Sequence, residues 1–376
     1  MYLSVPADPT SARSLTGVVP HVLASLSGDD DWLPPARSAI VFVVDGLGRS
    51  NLSTRAGHGR FLAGAMGKRD IAHTVFPSTT AAALTSLLTG VDPGSHGIVG
   101  YRVRIPGSDD APNQLKGWET HGLDPYTWQR AQPLLEREHD GGRPCFVVTK
   151  SEYAATGLTT AILRGGEFIA ADDLDERVER AAEIAARHPG SLTYLYTPEL
   201  DSLGHRHGWE SDEWAAGLER VDAAARRLAE RVSPRTGVVV TADHGMVDVP
   251  RHRHLLLGHG DGLTDGVRVI GGEPRMLHLY AEEGEAAAVL AAWRTAEGER
   301  SWVLSRDEAV AAGLFGPTHP EVLPRIGDVI VAARSAIAYY DDRITDKGPQ
   351  KMVGQHGSLT PEERIVPLIR LGAYAG

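Results

Sequence analysis

Seven short apolar runs recur along the chain: Ile40–Val44, Cys145–Val148, Leu192–Tyr196, Val238–Thr241, Met276–Tyr280, Val329–Ala332 and Ile365–Leu371. Each is rich in branched or aromatic residues and lacks strict polar alternation, the pattern of strands buried on both faces. Between them, Leu174–His188 and Asp212–Val232 repeat apolar residues at helical spacing among Arg and Glu, and a shorter helix is predicted over Leu15–Leu26. Strands alternating with helices predict an α/β fold, a large, mostly parallel sheet sandwiched between helices. Residues 1–37 read as an N-terminal arm and 38–376 as one domain. Within it the alternation breaks from about 250 to 324, where Arg251-His252-Arg253-His254, a glycine-rich loop over 258–272, one strand and one Ala-rich helix predict a small cap insertion.

Composition narrows the function classes. The chain has 376 residues, 42% of them hydrophobic and 23% charged, which supports a substantial core and argues against disorder. Its net charge is −11 and it has no basic run, so no nucleic-acid polymer is expected as a partner. Cys145 is the only cysteine, which excludes a disulfide framework and a thiolate metal cluster. No apolar run reaches membrane-spanning length, and Pro20 splits the only mildly apolar stretch near the N-terminus. The expectation is a soluble, cytoplasmic protein with no membrane partner.

The segment His73–Gly90 carries the first chemical signal. Pro77 stops what precedes it, Ser78, Thr79 and Thr80 are N-cap types, and an Ala/Leu run follows. Ala81, Ala82 and Ala83 leave the first helical N–H groups accessible, and a helix N-terminus with free donors suits a phosphate or sulfate. Taken alone, these hydroxyls would simply cap a core helix. Three further motifs change that. Asp45 follows the first buried strand, Asp201-Ser-Leu-Gly-His205 follows Leu192–Tyr196, and Asp243-His244 follows Val238–Thr241. Ligands of open parallel sheets bind beyond the carboxyl ends of the strands, where all three motifs fall. His356, in Gly354-Gln-His-Gly357, precedes the last strand and could complete the set. Singly, each reads as a turn former, a cap or a solvated loop residue. Together, oxygen and imidazole ligands without cysteine suit zinc or manganese, and about seven of them are enough for two ions. An acidic protein acting on a phosphate also needs local cations to offset its own repulsion.

Asp45-Gly46, the Thr-Thr-Ala to Leu-Leu-Thr-Gly helix, Asp201…His205, Asp243-His244-Gly245-Met246 and Gly354-Gln-His-Gly357 resemble the alkaline phosphatase superfamily, in its nucleotide pyrophosphatase/phosphodiesterase branch. The resemblance runs in order from about 38 to 371 and leaves the cap uncovered. It implies an alkaline-phosphatase-like catalytic domain and two divalent ions, zinc before manganese. One ion would be held by Asp201, His205 and His356, the other by Asp45, Asp243 and His244 with the oxygen of the nucleophile. Counting back from Thr89-Gly90 along the helix places that nucleophile at Thr80, with Thr79 second; Thr74 lies too far from the helix start.

The chain also departs from that branch. An Asn that helps hold a phosphate oxygen is expected after Ser95-His96-Gly97, but Gly100-Tyr101 stands there, so Tyr101 is the candidate substrate donor. No arginine matches the one used by phosphomonoesterases of the superfamily; Arg49 and Arg102 are the nearest substitutes. The implied activity is hydrolysis of a phosphodiester or pyrophosphate bond in a small-molecule phosphate ester, such as a nucleotide, through a phospho-threonine. A second substituent would be held near His252, His254 or the 258–272 loop. The alternatives are a phosphonate hydrolase or phosphomonoesterase with the same ions, or a non-catalytic metal-binding interaction protein.

Overall fold

The computed structural model describes residues 5–29, 31–258 and 260–375; positions 1–4 and Asp30 of the arm, His259 of the glycine-rich loop and Gly376 lie outside the described residues. In chain order the strands are β1 (Ser38–Val44), β2 (Ile71–His73), β3 (Cys145–Thr149), β4 (Glu167–Ala170), β5 (Leu192–Thr197), β6 (Thr236–Thr241), β7 (Val247–Asp248), β8 (His254–Leu257), β9 (Val267–Glu273), β10 (Met276–Ala281), β11 (Ser301–Ser305), β12 (Val329–Ala333), β13 (Ala338–Asp341), β14 (Gly354–Gln355) and β15 (Ile365–Gly372). The large sheet has the order β2-β15-β6-β1-β5-β3-β4. β1 lies at its centre, parallel to β5 on one side and to β6 on the other, and β15 runs antiparallel to β6. Every residue of β1 is buried, which explains its unbroken apolar run.

Helices cover this sheet by burying one stripe each. Leu174–Arg187 starts on Asp173, whose side chain accepts from the Asp175 and Glu176 amides, and it buries Leu174, Val178, Ala181 and Ala185. Asp212–Arg231 starts on Ser211 and buries Trp214, Leu218, Val221, Ala225 and Leu228. Thr80–Thr89 differs, since all ten residues are buried. Its polar positions are satisfied locally: Thr85 and Thr89 donate to the carbonyls of Ala81 and Thr85 at 2.6 and 2.7 Å. No helix among the described residues is long and apolar enough to cross a membrane.

Two of the apolar runs join a different sheet. Met276–Ala281 and Val329–Ala333 belong to a four-stranded sheet of order β11-β12-β10-β9, in which neighbours are antiparallel. A buried run carries no mark of which sheet will take it. Here the connection decides, because Glu273 pairs with Met276 across Pro274-Arg275, and a link that short can only make a hairpin. The small sheet thus extends past position 324 to draw in β12.

One buried ion pair fastens this sheet to the large one. Arg275 donates from Nε and Nη2 to Glu363 Oε1 and Oε2 at 2.7 and 2.8 Å, and from Nη1 to the Ser335 and Ile337 carbonyls, both at 2.9 Å. Glu363 also accepts from the Ser358 amide at 3.0 Å and the Thr360 hydroxyl at 2.6 Å. The loop that carries His356 is held from both sides. Removing the cation would leave a buried, uncompensated carboxylate, so Arg275→Met is expected to destabilise the fold by about 3–5 kcal/mol. Urea unfolding checks this, and a loss below about 1 kcal/mol would mean the pair is not a fastening.

Candidate active site and metal centre

The three central strands deliver their following residues to one place. Asp45 comes directly after β1, Asp201 and His205 lie on the helix Glu199–His207 that follows β5, and Asp243-His244 follows β6. Thr80 is the first residue of its helix, and His356 follows β14. Asp45, Asp243 and His244 offer ligand atoms that all lie within 4.8 Å of one another, as do Asp201, His244 and His356. His244 Nε2 is 3.5 Å from Asp45 Oδ1 and 3.4 Å from Asp243 Oδ2. Asp201 Oδ1 is 3.3 Å from His205 Nε2 and 3.8 Å from His356 Nε2. In this arrangement His244 belongs to both triples, and its ring stacks on that of His356 with centroids 3.6 Å apart. Close approach depends on Gly46: at φ +75° it takes a left-handed turn, and a side chain there would meet the Asp201 backbone and Cβ at 3.1 Å.

Asp45, Asp243, His205 and His356 are each braced on one atom and turned toward the centre by another. His205 and His356 place Nδ1 against the Gly354 and Ser78 carbonyls at 2.8 and 3.0 Å, which leaves Nε2 facing the centre. Asp243 Oδ1 accepts from the Gly46 and His244 amides, and Asp45 Oδ2 accepts from the Tyr196 hydroxyl. The other oxygens, Asp45 Oδ1 and Asp243 Oδ2, and likewise Asp201 Oδ1, are buried and have no hydrogen-bond partner. Burial, then the charges of Asp243 and Asp201, pushes the Asp45 carboxyl well above the usual carboxylate range. Burial, then His244 and His205, holds His356 well below the usual imidazole value, so its ring is neutral and able to ligate. Orphaned carboxylate oxygens facing imidazole nitrogens fit a pair of divalent cations.

Thr80 sits against this cluster, its Oγ1 3.1 Å from His244 Nε2. Thr79 is the N-cap residue, but its side chain makes no capping hydrogen bond. The Thr74 hydroxyl is buried and unpartnered, and it does not line the cavity that opens onto the cluster. That cavity, of about 650 Å³, is bounded on the cluster side by Asp45, Thr80, Asp201, His205 and His356. Its lining also includes the apolar residues Trp118, Tyr153, Leu158 and Ile162, with the Tyr153 ring 5.9 Å from that of Tyr196. Tyr101 lines it too, and its hydroxyl accepts from Asn113 Nδ2 at 2.6 Å, leaving its proton to point elsewhere. Neither Arg49 nor Arg102 is in the lining; the Arg102 Nε donates to the Ala111 carbonyl at 3.1 Å. His252, His254 and the described part of the 258–272 loop are also absent from it, because Val267–Gly272 is strand and His254 opens β8. Three contributors were not visible beforehand: Tyr196 behind Asp45, Glu273 in the wall, and the apolar side around Tyr153 and Leu158.

Comparison with known proteins adds an independent line. A model of the family described as type I phosphodiesterase / nucleotide pyrophosphatase matches residues 39–359. An uncharacterized pyrophosphatase/phosphodiesterase of Schizosaccharomyces pombe is 23% identical over 190 residues, 48% of this chain and 39% of that protein, so the match spans about two fifths of the relative. The structure of murine ectonucleotide pyrophosphatase/phosphodiesterase 5, in an inactive form in complex with AMP, superposes with a TM-score of 0.69 at 17% identity, covering 90% of this chain and 88% of that one. Phosphonoacetate hydrolase from Sinorhizobium meliloti, in complex with phosphonoformate, gives 0.67 at 20% identity over 90% and 91%. These superpositions show an alkaline-phosphatase-like fold.

The unpartnered oxygens generate a thermodynamic expectation. Zinc or manganese added to metal-free protein raises the melting temperature with concentration, by about 2.7 kcal/mol of stability at a hundredfold excess over Kd. Asp243→Asn should at least halve that rise. A melting temperature indifferent to both ions, followed by differential scanning fluorimetry, would contradict the metal assignment.

Proposed function

The chain belongs to the type I phosphodiesterase / nucleotide pyrophosphatase family, and on that premise we propose that it is a two-metal hydrolase of phosphodiester or pyrophosphate bonds in small molecules. The observation that carries this reading is the Thr80 hydroxyl, 3.1 Å from His244 Nε2, a nitrogen that itself lies 3.5 and 3.4 Å from the free oxygens of Asp45 and Asp243. Asp45, Asp243 and His244 would hold one ion and Asp201, His205 and His356 the other. Ions there supply Lewis acidity that lowers the pKa of the Thr80 hydroxyl and neutralises charge on the phosphoryl and departing oxygens, with zinc the first choice for this ligand set.

The remaining work falls to the chain. Thr80 Oγ attacks phosphorus, forms the Thr–O–P bond and releases the leaving group; water then hydrolyses the phospho-threonine. The first N–H groups of the Thr80–Thr89 helix lie close to the phosphoryl oxygens, because Ala81, Ala82 and Ala83 present no bulk there. Tyr101, kept neutral as burial raises its phenol further, donates a hydrogen bond from the cavity wall. The apolar wall around Trp118, Tyr153 and Leu158 takes the substituent, which suits a flat or apolar group such as a nucleobase or aryl ring. The charge of the departing oxygen would then fall to the metal centre, which favours good leaving groups.

Lys116 supports a second reading, a phosphomonoesterase or phosphonate hydrolase, since it brings the lining its one amine. It is exposed and adjoins the apolar side, so it could compensate a second negative charge only through solvent. The diester reading therefore leads. Zinc-loaded protein should cleave bis(p-nitrophenyl) phosphate with kcat/KM at least tenfold above p-nitrophenyl phosphate, about 1.4 kcal/mol of differential transition-state binding. Equal or reversed rates would favour the second reading. Thr80→Ala should lower kcat by roughly three orders of magnitude without loss of fold, whereas Thr79→Ala should cost under about threefold. The opposite ranking would move the nucleophile to Thr79.

A further inference from the structure

Glu273 is the last residue of β9 and one wall of the cavity, and nothing said so far uses it. Its side chain is 94% buried, at 6% exposure, yet neither carboxyl oxygen has a hydrogen-bond partner. Buried polar groups left this way are rare and costly, and they cluster where a ligand completes them. Among the described residues no cation pairs with it. Arg275, two positions along, spends its donors on Glu363 and backbone carbonyls, and Glu363 itself adds negative charge nearby.

The backbone makes room for this carboxyl. Gly357, next to His356, has φ +125°, and a Cβ there would lie 2.5 Å from Glu273 Cγ and 2.7 Å from its Cδ. On the other side stands the Thr79 hydroxyl, which also lacks a partner. The group is thus placed between the start of the Thr80–Thr89 helix and the His356 loop, on the wall shared with Tyr101. Burial pushes its pKa up to about 8; the Thr79 hydroxyl, near enough to pull the other way but not in hydrogen-bond geometry, opposes the rise and Glu363 adds to it. Burial without a neighbouring cation favours its protonated form, in which it can donate.

We propose that Glu273 is a substrate-binding residue: its carboxyl O–H donates a hydrogen bond to a non-bridging phosphoryl oxygen, in the wall it shares with Tyr101. This deepens the hydrolase reading above and rests on it. Phosphoryl oxygens only accept, so the site needs donors that add no positive charge of their own. A neutral carboxylic acid supplies one, and it leaves a monoanionic diester adequately held without an arginine. The competing occupant would be a cationic substituent, for which the carboxyl would have to be ionised.

Two variants separate these outcomes. Glu273→Gln keeps a donor and the shape but cannot ionise; Glu273→Met keeps approximate shape without either. The zinc-loaded proteins are titrated with inorganic phosphate by calorimetry, assayed on bis(p-nitrophenyl) phosphate at pH 7, and melted. The methionine variant should lose at least tenfold in phosphate affinity and in kcat/KM while its melting temperature holds or rises, because an unpaired buried polar group has gone. The glutamine variant should recover both quantities to within threefold of wild type. Unchanged phosphate affinity in the methionine variant would overturn the inference, as would a glutamine variant as impaired as methionine, or a lowered melting temperature that marks Glu273 as a structural strut. If wild type hydrolyses the diester and only these expectations fail, the hydrolase reading stands alone; if wild type neither binds phosphate nor hydrolyses the diester, both fall.

Discussion

Three carboxylates brought together at one sheet edge are the constraint that the rest of this structure answers to. Asp45, Asp201 and Asp243 each keep one buried oxygen without a partner, and their mutual repulsion opposes folding unless something positive or a proton lies between them. The surrounding elements hold them there regardless. β1 is buried along its whole length between two parallel neighbours, so Asp45 cannot withdraw. Tyr196 and the Gly46 amide brace the carboxylates from behind, and the Gly354 and Ser78 carbonyls aim the imidazoles. On the reading proposed above, divalent cations would satisfy these oxygens and activate the neighbouring threonine hydroxyl.

Much of this was legible in the sequence, for a specific reason. Asp45, Asp201 and Asp243 each follow an apolar run that ends abruptly, and the Thr79-Thr80 pair opens an Ala/Leu helix; strand ends and helix starts are where linear order predicts spatial convergence. The large sheet followed from the same runs. What the sequence hid depends on packing across long separations. Tyr196 looks like any aromatic in a buried strand, and only the β1–β5 register puts it beside Asp45. Glu273, before Pro274, reads as an ordinary polar turn residue, and its burial depends on Gly357, which is far away in the chain. Met276–Ala281 and Val329–Ala333 carry the same apolar signature as the central strands but pair in the second sheet: the first is turned there by its two-residue hairpin from β9, the second by antiparallel pairing with β10 and β11 across long separations.

That second sheet also revises where the substrate is expected to lie. His252 and His254 do not line the cavity, and the small sheet contributes Glu273 and Pro274 from its hairpin instead. The Arg275–Glu363 pair joins this hairpin to the loop before β15 and so to His356. The cavity wall around Glu273 and the loop of His356 are therefore held by the same buried contact. The apolar lining comes from other segments, from Trp118 and the stretch around Tyr153 and Leu158.

The central claim is that the aspartate–histidine cluster is a two-cation site built around Thr80, and diffraction tests it most directly. Crystals grown with zinc and measured on both sides of the zinc absorption edge should show two anomalous peaks. One should lie among Asp45, Asp243 and His244 next to Thr80, the other among Asp201, His205 and His356. No peak at the cluster, or zinc bound only at other surface histidines, would contradict the account.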